Sequence, residues 1–336
     1  MENLVNKKMD KKDIKRFLEN NAIIILMVAV AVVVGIYKPS FVSFANFKNL
    51  SLNTAVRFII AAGVSGCLIT KGTDLSAGRV VGLSACVAAI LLQKADYTDK
   101  FYPNLGELNM LTLLIIVLAI CAIIGIANGV IVSFLKVPPF IATLGMQTLV
   151  YCICLVYTGA KPIGGLTRKY TLLSTSGAFN NHLPYIIIIA VIVGVYMWFL
   201  YNKTRYGKYM YAIGGNENAA EVAGVNCNKT KILIYTLAAV LYGLAGFILA
   251  SKSGGASVNT GMGYELEAIA ACTIGGVSTN GGVGKISGIL IGVLVFELLK
   301  VSLQFMGVET SYTYIVQGLV IIIAVALDLR KYLAKK

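Results

Sequence analysis

Two short polar stretches interrupt otherwise apolar sequence, and they are the first places to look for chemistry. Lys71-Gly72-Thr73-Asp74-Leu75-Ser76-Ala77-Gly78-Arg79 breaks an apolar region of about forty residues. Charges in such a setting are expensive unless buried in protein or facing water. One reading is a capped turn, with Asp74 and Ser76 closing the start of the next helix and Asp74 paired to Arg79 or Lys71. The other is a helix break at the mouth of a solute pathway, where Asp74, Ser76 and Arg79 offer polar groups to what passes. Glu297 and Lys300 form the second constellation. Three residues apart, they share one face of an apolar helix. A charge at the bilayer centre costs about 2.5–3.5 kcal/mol on insertion scales, and an intrahelical pair lowers that. A proton or ion relay is the alternative use of the same two groups.

The remaining candidates carry less. Glu265 and Glu267 open an apolar segment, where carboxylates favour the helix dipole. Two residues apart, they point to different faces and do not form a catalytic dyad. Ile274–Gly288 is rich in glycine and ends near Gly284-Lys285. A phosphate loop needs glycine five positions before Gly284, where Thr279 stands, and Ser or Thr after Lys285, where Ile286 stands. No ATP site is read here, and a tight turn between close-packed helices accounts for the glycines. His182 stands alone, so no metal cluster forms around it. The seven cysteines (Cys67, Cys86, Cys121, Cys152, Cys154, Cys227 and Cys272) lie mostly in apolar runs and form no Cys-x-x-Cys pair. They read as small buried hydrophobes. The chain offers no nucleophile–base set, so no catalytic residue, metal or cofactor is expected.

The elements that position these groups are membrane spans. The 336 residues are 57% hydrophobic and 13% charged, with a mean hydropathy of +0.79, against about 25% charged in soluble domains. A bilayer core of about 30 Å takes about 20 apolar residues per helix. Stretches of that order recur at Ala22–Tyr37, Ser51–Thr70, Ala77–Gln93, Asn109–Leu135, Pro138–Thr158, Pro184–Tyr201, Lys231–Ser251, Tyr264–Gly276, Gly284–Met306 and Tyr312–Asp328. The expected fold is therefore an all-α polytopic transmembrane bundle of about ten spans. A basic segment (1–21) precedes it and a short basic tail (329–336) follows, around one transmembrane domain (22–328). Val137-Pro138-Pro139 reads as a helix entry. Nothing after the first apolar stretch resembles a cleavage site, so that span is read as uncleaved. Spans two to five and seven to ten form two groups of four in opposite orientation, which permits an inverted repeat.

The net charge of +14 does not point to nucleic acid, because the basic residues gather at span ends. Placing the N-terminus inside puts nineteen Lys and Arg on the inner side and eight on the outer, with Arg57 and Lys300 inside spans. By the positive-inside rule both termini are cytoplasmic, together with the Asn202–Lys231 connection. That connection holds a short helix signal. Asn218 and Glu221 stand at capping-box spacing, and Gly224 is a suitable stop. A helix of about two turns needs a body to dock on. Its second face is then free for a partner, unless the stretch is a plain polar loop.

GGNENAAEVAG within this connection resembles the coupling segment of ABC-transporter membrane subunits. GTDLSAGR at Gly72–Arg79, VPPFIATLG at Val137–Gly145, RYGKYMYAIGGNENAA at Arg205–Ala220 and GYELEAIAACTIGGVSTNGGVGKISG at Gly263–Gly288 resemble sugar permeases of the ribose/galactose group. The likeness runs from about Asn46 to Asp328, and GTDLSAGR is nearer the galactose/methyl-galactoside type. It implies a homodimeric, non-catalytic permease in the cytoplasmic membrane that imports a monosaccharide. A separate sugar-import ATPase and an extracytoplasmic sugar-binding protein are the implied partners. The ATPase would be met by Gly215, Asn216, Glu217, Ala219, Ala220 and Gly224. A stand-alone ion-coupled transporter is the competing class, and would need several intramembrane carboxylates around one cavity.

Overall fold

Apolar helices whose backbone polar groups are satisfied internally dominate the chain, as a bilayer requires. The computed structural model describes residues 11–178 and 183–333. In order, the helices are α1 (Lys11–Tyr37), α2 (Phe44–Ile69), α3 (Ala77–Leu91), α4 (Met110–Ser133), α5 (Pro139–Thr158), α6 (Arg168–Thr175), α7 (Tyr185–Lys203), α8 (Arg205–Gly215), α9 (Glu217–Val222), α10 (Cys227–Ser253), α11 (Tyr264–Ile274), α12 (Ile286–Phe305) and α13 (Thr310–Leu333). The protein is a helical, polytopic membrane protein. The expectation for His182, the first ten residues and the last three falls outside the described residues.

Ten spans were expected, and seven helices among the described residues are long and apolar enough to cross: α2, α4, α5, α7, α10, α12 and α13. The difference lies in three short segments. In α1 the stretch with described side chains is Ile24–Tyr37, and α3 has 15 residues. The expected Tyr264–Gly276 span is an 11-residue helix. At about 1.5 Å per residue it covers about 16 Å, half of the hydrocarbon core. Thr260 and Gly261, in the connection before it, come back into the bundle against Gly82 and Gly78 of α3.

α10 is the central helix, packed on α2, α3 and α4. Small residues allow the approach. A β-carbon on Gly125 would sit 2.6 Å from Tyr235 O, and one on Gly129 2.6 Å from Ile232 Cα. Gly246 meets the backbone of Val81 in the same way. Close backbone contact through small residues is how helices associate in lipid, where burial of apolar surface gives little drive. The most apolar stretch of α2 is 89% buried and that of α4 only 22%. α4, α5, α7 and α13 thus form the rim, exposing residues such as Ile115, Leu149, Ile192 and Ile322. α6, which the sequence reading did not anticipate, is pinned to α10: Tyr170 OH donates to Phe247 O, and Ser251 Oγ donates to Tyr170 O at 2.7 Å.

The buried charges pair differently from the sequence expectation. Glu297 does not pair with Lys300 along α12. Arg57 Nε on α2 lies 2.8 Å from Glu297 Oε2 as an ion pair, and Arg57 also pairs with Glu267 at the start of α11. Lys300 Nζ lies 3.9 Å from Glu267. Arg57 further stacks over Tyr264 at 4.7 Å. Two cations and two carboxylates thus tie α2, α11 and α12 into one neutral knot.

Candidate functional site

The first part of the site is the Asn202–Lys231 connection, which folds as α8 and α9. Asn216, not Asn218, is the N-cap of α9: its Oδ1 accepts from Ala219 N at 3.1 Å. The capping box expected from Asn218 and Glu221 is absent because the helix begins two residues earlier, at Glu217. Glu217 turns back to Lys231 Nζ at 2.7 Å. The helix stops where the sequence placed its stop. Gly224 has φ +85, a left-handed conformation that costs other residues about 1 kcal/mol or more. Gly224 N donates to Glu221 O at 2.9 Å, and Val225 N to Ala220 O at 3.0 Å. This paired closure satisfies carbonyls that the helix end would otherwise leave open.

The two faces of α9 differ. Ala220 is 5% exposed and packs with Ile213, Cys227 and Val225. The alanine expected to meet a partner is therefore turned into the protein itself. Val222 is 91% exposed, and Asn218, Ala219, Glu221 and Ala223 share the open side. An unpaired valine at the tip of a rigidly capped, docked helix is a ready contact point.

This end of the bundle is cross-tied to the break after α2. Lys71 Nζ donates to Gly215 O at 3.1 Å, and Gly282 N donates to Ile69 O at 2.8 Å. Tyr211 OH of α8 donates to Gly284 O at 2.8 Å. The glycine run is thus the tight turn expected of it, held additionally by Asp328 Oδ2, which accepts from Thr279 N at 3.0 Å. A cleft of about 240 Å³ opens here among Lys71, Lys136, Pro138, Glu217, Lys231 and Tyr235.

The second part of the site is the break itself. Asp74 is 1% exposed and pairs with neither Arg79 nor Lys71. Its Oδ1 accepts from Ser76 N at 3.0 Å and from Ser76 Oγ at 2.6 Å. Ser76 precedes α3 without a side-chain cap bond to it, since its hydroxyl is committed to Asp74. Asn128 Nδ2 of α4 donates to the same hydroxyl at 3.0 Å. Leu75 N donates to Thr143 Oγ1 in the first turn of α5 at 3.1 Å. Pro139 opens that helix as the sequence indicated. Arg79 points away from Asp74. Its guanidinium lies 4.3 Å over the Tyr151 ring of α5, and Nη1 donates to Val258 O at 3.2 Å. The break thus bonds Asp74 to Ser76, while Arg79 bonds elsewhere. Sequence reasoning missed Asn128 and Tyr151, which no motif marks, and gave no role to Thr143, which stands inside VPPFIATLG. A lone Asn in the apolar α4 segment was the available signal for Asn128.

Two comparisons place this architecture among known proteins. Residues 46–325 match the family model described as a branched-chain amino acid transport system / permease component. The galactose/methyl galactoside import permease protein of Escherichia coli is 42% identical over 335 residues, covering 98% of this chain and 99% of that protein. Its Haemophilus influenzae namesake is 40% identical over 326 residues, with 95% and 96% covered. The ribose import permease protein of Escherichia coli is 37% identical over 316 residues, with 94% of each chain covered. No solved structure matches the chain. With a family model spanning most of the sequence and relatives alike over nearly their full length, this chain belongs to the family of transport-system permease components.

Proposed function

We propose that this chain is the membrane-spanning permease subunit of an ABC importer for a monosaccharide, galactose or methyl galactoside before ribose. The observation that carries this reading is the near-full-length likeness to galactose/methyl galactoside import permeases, at 42% identity against 37% for the ribose relative. The ATP is hydrolysed on a separate subunit, and an extracytoplasmic sugar-binding protein delivers the sugar. Two copies of this chain form the pathway, one transmembrane domain (22–328) in each, with both termini and the α8–α9 end in the cytoplasm.

The geometry supports a division of labour. The contact with the ATPase is Gly215–Gly224, in which Asn216 and Gly224 fix the ends of α9, Ala220 seats it, and Val222 with Ala219 meets the partner. Movement of α9 reaches the break after α2 through the Lys71–Gly215 bond and the Gly282–Ile69 bond. Asp74 and Ser76 then stand where that movement alters the opening of the pathway, as rigid-body switching requires. The test is uptake of labelled galactose and ribose by a strain lacking this chain and its other galactose carriers. Loss of galactose uptake alone supports the assignment. Loss of ribose uptake alone moves the specificity to ribose, and no change in either overturns it.

A further inference from the structure

Two interrupted segments meet inside the bundle. α3 starts from the Gly72–Arg79 break, and α11 starts from the connection that dips back after α10. They touch where Gly78 and Gly261 leave no room for a side chain. The order of long helix, break, short helix and two long helices holds for α2–α5 and again for α10–α13. In secondary transporters, breaks in corresponding positions of two such groups mark the substrate site.

Four polar side chains gather at this junction. Glu265 of α11 is 94% buried, being 6% exposed. Its Oε1 accepts from Gln147 Nε2 of α5 at 3.4 Å, and its Oε2 has no hydrogen-bond partner. Arg79 is half-buried, with its plane held against Tyr151. Among the described residues its one hydrogen bond goes to Val258 O, although a guanidinium carries five N–H donors. Gln147 and Tyr151 flank the middle of α5, which runs Pro139–Thr158. A half-exposed guanidinium and amide within a bundle of membrane-spanning helices need water or a polar solute beside them, because hydrocarbon satisfies neither.

We propose that Arg79, Gln147 and Glu265 form a transient binding station for a neutral polyhydroxylated solute, beside the Tyr151 ring that the Arg79 guanidinium lies over. Unused donors on Arg79 and unused acceptors on Glu265 and Gln147 lie together, and one charge of each sign leaves the station neutral. A sugar ring offers hydroxyls that both accept and donate, so it satisfies all three groups at once. A monopole would leave one of the two charges unanswered. The inference rests on the permease reading above, and it adds where inside the permease the sugar pauses.

The test uses the complete importer in proteoliposomes, with its ATPase and binding protein, and reads labelled galactose delivered per ATP hydrolysed. Arg79→Lys and Glu265→Gln are expected to lower that ratio at least ten-fold. Gln147→Ala, on the half-exposed edge of α5, serves if Glu265→Gln does not accumulate, and is expected to lower it several-fold. Ratios within two-fold of the parent overturn the station, as does a fall in uptake and ATP hydrolysis together at constant ratio, which marks a structural role. Delivery of leucine rather than galactose by the parent overturns the sugar as occupant, since a zwitterion also meets one cation and one carboxylate. Failure of the parent importer to deliver any sugar refutes the permease reading instead, so the two failures are distinct.

Discussion

Replacing Arg57 by Met removes the cation that holds Glu297 and Glu267. Glu297 is 1% exposed, and Arg57 is its sole ion-pair partner among the described residues. Breaking a buried pair from one side costs about 3–5 kcal/mol, because the other charge is left buried and unmet. Glu267 keeps only Lys300 at 3.9 Å. The full penalty is therefore expected for Arg57→Met. Glu297→Gln is milder: Arg57 remains neutralised by Glu267 and no carboxylate is left buried without its cation, so the loss is expected to stay below the about 3–5 kcal/mol of Arg57→Met. Lys300→Met is milder still, since a 3.9 Å pair with a partly exposed lysine contributes about 1 kcal/mol or less. The double change Arg57→Met with Glu297→Leu removes both members of the main pair, and is expected to recover most of the loss. The assay is the melting temperature of the purified protein in mild detergent, with membrane abundance measured beside it. If Lys300→Met proves as damaging as Arg57→Met, the pair runs along α12 between Glu297 and Lys300, and the three-helix knot is wrong.

Val222→Asp puts a charge on the most exposed point of α9, 91% accessible. It is expected to cut co-purification of the ATPase at least ten-fold while leaving the permease in the membrane; unchanged co-purification removes Val222 from the contact. Ala220→Arg forces a long cation into the pocket of Ile213 and Cys227. It is expected to weaken the same association by unseating α9, seen as faster proteolysis of the Asn202–Lys231 connection, and intact protease resistance would contradict the buried position. Gly129→Leu drives a side chain into the backbone of α10 at Ile232. Overpacking costs about 1–3 kcal/mol or more, so membrane abundance should fall several-fold, and normal abundance would mean α4 and α10 are farther apart.

How much of this was legible beforehand depends on whether the cause is local. Gly224 as a helix stop and Pro139 as a helix start follow from backbone constraints of single residues, and both hold. The placement of α9 was right while its cap was off by two residues, because Asn216 and Asn218 are both good caps and only Ala220 seated on Ile213 chooses between them. The short α11 was read as a span because apolar composition does not reveal a connection that dips back into the bundle. Partners of buried charges were not legible at all. Glu297 meets Arg57 from a helix far away in sequence, and Arg79 meets Tyr151. Only the packing of α2, α11 and α12, or of α3 on α5, brings these groups together. For Asp74 the sequence offered a nearby cation, Lys71 or Arg79, and the structure supplies the hydroxyl and amide of Ser76 instead.

We propose that this chain is a passive pathway for a sugar, energised by another subunit. This is tested most directly by reconstituting the purified chain in liposomes and following labelled galactose and ATP hydrolysis together. The chain alone is expected to show neither ATP turnover above background nor accumulation of galactose, even with an imposed proton or sodium gradient. Addition of the sugar-import ATPase and the binding protein should produce both. Galactose accumulation by the chain alone under an ion gradient, or ATP hydrolysis in the absence of the second subunit, would contradict the claim.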